Sequence, residues 1–234
     1  MKSHTFRSIS AVLVTIALAT VAFLVPTPTW AADKKAPPAK PAGEYLAFEA
    51  HPNEHVTVAA EPCDRASECD FFRLPYLQHG FIPIRVIFTN DGDTALSLED
   101  ARMQFISAEN DKIPAASEDD LQRRLFNFKS ATGHKIPLPM PLPPITIHGK
   151  PVDKQIIKDD DDFGFAGTVV NAHSTLAGYL FYDVRGLDEP ALKGAELYVK
   201  MVRTLDGKKQ LFDFNIPFNK WLAGRPRTTS ASER

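Results

Sequence analysis

The chain lacks the short motifs that carry much of enzyme chemistry. In 234 residues there is no G-x-S-x-G nucleophile elbow, no G-x-x-x-x-G-K-[ST] phosphate loop and no G-x-G-x-x-G dinucleotide fingerprint. It also lacks a dominant sign of charge. Lys and Arg number 27 against 29 Asp and Glu, a net charge of -2, so no whole-chain field recruits nucleic acid or an anionic membrane. Cysteine is scarce: Cys63 and Cys69 are the two copies, and their Cys-x5-Cys spacing is neither a C-x-x-C redox pair nor half of a two-pair zinc site. The 12 glycines are outnumbered by 19 prolines, which favours extended and loop structure over long helices.

What is present begins with a targeting segment. Lys2 and Arg7 precede a mostly apolar run over residues 9–25, and Thr29, Trp30 and Ala31 form a small-x-small pattern, so residues 1–31 read as a signal peptide cut after Ala31. The alternative is an uncleaved anchor, because the apolar run nearly spans a bilayer. The mature chain is therefore expected to be secreted or periplasmic, with membrane contact only through an uncleaved leader. In that oxidising setting Cys63 and Cys69 are expected to form a disulfide that pins a small loop. Residues 32–43, rich in Pro, Lys and Ala, read as a tether that buries nothing. Residues 44–222 read as a single domain with an insertion over about 111–167, and residues 223–234 as a disordered tail.

Within the domain the signal is β. Residues 81–98 are its clearest part: Ile82, Ile84, Val86 and Phe88 share one face of an extended chain, Pro83, Arg85 and Thr89 fall on the other, and residues 90–93 supply turn chemistry. Residues 175–184 are apolar on both faces, with Gly178 marking a bulge or a close approach. A final hairpin turns at Asp206 and Gly207, and its register sets Met201 against Phe212, Val199 against Phe214 and Leu197 against Ile216. One short helix is expected at 117–126, with Ser117 as its cap. Six prolines within 136–151 predict a long extended crossover.

Two clusters could carry chemistry. Asp159, Asp160, Asp161 and Asp162 are consecutive carboxylates read as lying in a loop, which a hard cation such as calcium would suit, although Phe163 and Val170 stand where an EF-hand needs ligands. A solvated charge run is the plainer reading. His51 and His55 match H-x-x-E-H, but Pro52 and the flanking strand patterns deny the helix that would bring both to one zinc ion, so a polar turn is expected there.

Residues 82–105, 172–184 and 196–218 together resemble secreted bacterial proteins with an immunoglobulin-like domain of uncharacterised function. In such domains a strand ends in Thr-Asn before a turn, and a small-polar-x-x-G-aromatic strand precedes the last hairpin. That resemblance implies a mainly β fold, an antiparallel two-sheet immunoglobulin-like sandwich, and supplies no functional residue. The expected function is a non-catalytic binding or interaction module of the periplasm or cell surface, with no catalytic residues, no resident cofactor and a protein or envelope partner. The alternatives are a metal-dependent hydrolase or calcium-binding protein using residues 159–162 or His51 and His55, and an envelope structural or assembly protein.

Overall fold

The computed structural model describes residues 36–126, 134–136, 145–147 and 151–225. The segment read as a signal peptide, most of the stretch read as a proline-rich crossover and residues 226–234 lie outside them. The described part is mainly β, and its sheets are antiparallel.

One four-stranded sheet has the order β1-β2-β3-β10, formed by β1 (Phe48–His51), β2 (Val56–Pro62), β3 (Phe81–Asn90) and β10 (Ser174–Asp183). A second has the order β13-β11-β5-β6, formed by β5 (Arg102–Ile106), β6 (Lys112–Pro114), β11 (Glu196–Lys200) and β13 (Phe214–Pro217). The two-residue strands β4 (Leu96–Ser97), β9 (Val169–Val170) and β12 (Arg203–Thr204) make a small third sheet. Strands β7 (His134–Ile136) and β8 (Ile145–Ile147) pair with each other. Ile84, Val86 and Phe88 from the first sheet form one apolar cluster with Phe105, Leu197, Val199, Phe214 and Ile216 from the second. Alternation along each strand builds that shared core.

Strand β3 is the centre of its sheet, and all ten of its residues are buried. The face bearing Arg85 and Thr89 is covered. Residues 36–43, read as a tether that buries nothing, pack there instead. Ala42 is fully buried and its N–H donates to Thr89 Oγ1 at 2.8 Å, while Arg85 donates to the Pro37 carbonyl. Proline and alanine suit this task, because an extended chain with small side chains lies flat on a sheet. Residues 175–184 are apolar on both faces for a related reason. Leu176, Leu180 and Tyr182 join the inter-sheet core, and Tyr179 and Phe181 join a second cluster on the outer face. Strand β10 is β3's direct ladder neighbour, pairing over its whole length.

The last hairpin keeps the expected register, with Leu197 opposite Ile216 and Val199 opposite Phe214. Its facing changes at Met201, whose φ is 63°. Beyond that residue Val202 and Leu211 point inward and Phe212 is 76% exposed. The kink carries the arm out of the second sheet into β12 and the third.

Three helices are described rather than one: α1 (Glu118–Leu125), α2 (Val152–Phe163) and α3 (Asn219–Gly224). Helix α1 has the expected cap, a box in which Ser117 and Asp120 bond each other's backbone N–H. Helix α3 and Arg225 replace the start of the expected tail, and Arg225 pairs with Asp64. Among the described residues no helix is long and apolar enough to cross a membrane.

Candidate functional site

The outer face of the first sheet carries the residues singled out for a disulfide and for a cation, and the fold brings them together. Cys63 follows β2 and donates its N–H to the Pro83 carbonyl at 2.8 Å, so the sheet sets its position. The chain then turns back through the Arg65 carbonyl, which accepts from Glu68 N–H at 2.9 Å and from Cys69 N–H at 3.1 Å. This return brings the two Cα atoms to 5.9 Å, and Cys63 and Cys69 are joined by a disulfide. The bond accords with an oxidising location outside the cytoplasm.

Residues 70–80 continue as irregular chain, broken by Pro75 and closed by one 3-10 turn, Tyr76–His79. Gly80, with φ of 80°, ends that turn in the left-handed region. Phe72 and Tyr76 plug into Phe81, Phe163, Tyr179 and Phe181. Phe72 meets Tyr76, Phe163 and Tyr179 edge to face with ring centroids 5.1 to 5.4 Å apart.

Residues 159–162 form the last turn of α2, a correction to the expected loop. Pro151 and Gly164 bound a twelve-residue helix whose inward stripe is Ile156, Asp159 and Phe163. Asp159 is therefore the one carboxylate of the four that is carried into the apolar layer, where it is 1% exposed. Its two oxygens accept the Arg73 backbone N–H at 3.1 and 3.0 Å, Arg73 Nη1 at 2.9 Å and the Tyr76 hydroxyl at 3.0 Å. Asp162, one turn on, accepts from Arg73 Nη2. Asp160 and Asp161 point to other sides of the helix, so the four carboxylates do not converge as a cation of six to eight oxygen ligands requires. Among the described residues no group of three or more His, Cys, Asp or Glu is placed to hold a metal ion.

Burial dominates the electrostatics here. It pushes the Asp159 carboxyl above its ordinary value against the opposing pull of Arg73 and Tyr76. Burial first, then the charge and bond of Asp159, push the Tyr76 hydroxyl up as well. The hydrogen bond to Asp159 raises the Arg73 guanidinium. The cluster is arranged to hold Arg73 and Tyr76 in place, with every Asp159 oxygen occupied. Above it a hollow of about 260 Å³ opens to solvent, lined by Cys69, Phe72, Arg73, Leu74, Tyr76 and Leu77 among others.

His51 is the last residue of β1 and His55 lies in the turn before β2, with φ of 56°. They do not share a helix face, in keeping with the polar turn expected there. His51 stacks on Phe214 with centroids 4.0 Å apart, between Glu54 at 3.2 Å and Glu49 at 3.3 Å. Glu54 also accepts the Phe212 N–H and pairs with Lys209 at 3.1 Å, and Glu49 accepts the Asn215 N–H. Glu49 thus takes a donor of β13 and Glu54 takes donors of the chain just before it, tying the β1 end of the first sheet to the β13 edge of the second.

Sequence reasoning missed Arg73 and Tyr76. The available signal was the helix boundary at Pro151 and Gly164, which turns a charge run into a stripe with one inward aspartate. No protein-family model, no curated protein and no solved structure matches the chain.

Proposed function

We propose that the chain is an exported, non-catalytic binding module of the periplasm or cell surface, that its two facing four-stranded sheets form an immunoglobulin-like sandwich, and that residues 63–79 are its binding face. The observation that carries this reading is how that irregular segment is held. The disulfide closes its start, Asp159 takes the Arg73 backbone and the Tyr76 hydroxyl in its middle, and Gly80 ends it. A loop fixed this way has lost its conformational freedom before any partner arrives, so less of the contact energy is spent on ordering it. Its hollow has mostly apolar walls with Asp70, Arg73 and Gln78 as polar groups among them, a lining suited to an apolar or aromatic side chain that carries a polar group at its edge. The metal-dependent alternative has less support, since Asp159, Asp162, His51 and Glu54 are each bonded within the fold.

The test is capture of partners from the exported fraction by the mature chain, run beside Ala66→Trp, which fills the rim of the hollow at an exposed position. The reading expects a specific partner that the variant loses. Finding no specific partner, or equal capture by the variant, counts against it.

A further inference from the structure

A second groove, of about 420 Å³, lies between α1 and the chain that follows β6. Its walls are apolar where Phe81, Ile113, Ala115 and Ala116 line it, and Arg123, Arg124, Asp120 and Asp183 make its charged end. Both carboxylates are already fully engaged. Asp120 accepts from the Ser117 N–H and hydroxyl and from Arg123. Asp183 accepts from Arg124 at 2.6 Å and from the Arg185 backbone and guanidinium at 3.1 to 3.3 Å. Three guanidiniums thus share two aspartates, leaving one positive charge in excess.

Arg124 is the incomplete member. Its guanidinium lies over the Phe81 ring, 5.4 Å from the centroid, and one nitrogen bonds Asp183. Its other terminal nitrogen, Nη1, is buried and has no acceptor among the described residues. A buried N–H of a charged group is costly to leave unpaired, and a guanidinium fork is matched in shape by a carboxylate.

We infer that this groove binds a carboxylate carried on a short apolar chain, with the carboxylate on Arg124 and Arg123 and the chain along Ile113, Ala115 and Phe81. The site is separate from the 63–79 face and stands whether or not that face binds a partner. Two sources share this chemistry, the C-terminal residues of an apolar peptide and a short fatty acid.

The experiment is an NMR titration of the full mature chain with N-acetyl-alanyl-leucine, its C-terminal amide, hexanoate and inorganic phosphate, following the backbone amides of Ala115 and Ala116. The free acids are expected to shift those signals and the amide to bind about tenfold more weakly, the loss of one charge-assisted pair. Tighter binding of the peptide assigns a chain terminus, and tighter binding of hexanoate assigns a fatty acid. Arg124→Lys should weaken either acid about tenfold, and Arg123→Gln, at an exposed position with little bearing on the fold, several-fold. Equal binding of the amide, equal binding of phosphate, or no shift in the wild-type protein near 10 mM ligand, roughly the weakest affinity worth assigning, would overturn the inference.

Discussion

Phe165 lies against Gly178 so closely that the two positions share one volume. A Cβ on Gly178 would fall on the Phe165 backbone nitrogen, 2.6 Å from its Cγ and 2.7 Å from its Cα. The relation comes from a strap. After α2 the chain passes β10, leaving Phe163 in the outer cluster and placing Phe165 against the inter-sheet core. Gly178→Val is expected to lose about 2–3 kcal/mol in urea unfolding, because the clash is with backbone that cannot swing aside. Gly43→Ala, where nothing lies within 4 Å, should stay within about 0.5 kcal/mol of wild type.

Asp159 joins the strap's helix to the disulfide-bearing loop through Arg73 and Tyr76. Asp159→Asn keeps the size but turns an NH2 group towards donors, so it should cost about 3 kcal/mol, the scale for breaking a buried charged pair. Hydrogen exchange at the Arg73 amide should accelerate more than exchange in β3. Uniform acceleration would show a global loss instead.

Much of this was legible beforehand, and the misses have physical causes. Phe81–Asn90 was readable as a strand because its alternation is strong, and the Ser117 cap because its residues have one common use. The cover over Arg85 was not, since proline and alanine are equally at home in a free tether and flat on a sheet. Asp159 was hidden by Asp160, Asp161 and Asp162, which made a loop the simplest reading. The hairpin register survived while its facing did not, because a left-handed Met201 leaves no mark in the pattern of apolar residues.

That change of facing separates two neighbours. Leu211 is buried and Phe212 is 76% exposed. Leu211→Ala should cost about 3 kcal/mol, as for other buried leucines, and Phe212→Ser should change stability by about 0.5 kcal/mol or less. Chemical unfolding of both variants checks the pair. A larger cost at Phe212 would restore the simple alternation.

Acid stability has a share from the hairpin turn. The Thr204 hydroxyl, then Lys208, hold the Asp206 carboxyl down at about 2, below its ordinary 3.8. A lowered folded value means stabilisation that is present above the unfolded value and lost as pH falls through the folded one. Asp206→Asn should therefore flatten the stability curve between about pH 4 and pH 2 and converge with wild type below it. Asp159 has the opposite sign: its raised value adds stability that is full at low pH and is lost as pH rises through the folded value. An unchanged slope in the Asp206 variant would contradict the assignment.

The most direct measurement is site-specific photo-crosslinking of the chain in the cells that produce it, with the reactive group at Ala66 or Gln78 on the rim of the hollow and, for comparison, at Lys208 in the turn of the last hairpin. The account predicts a discrete adduct from positions 66 and 78 that is lost when Cys63 and Cys69 are both replaced by serine, and none from position 208. Equal adducts from all three positions, or adducts from 66 and 78 that persist without the disulfide, would contradict it.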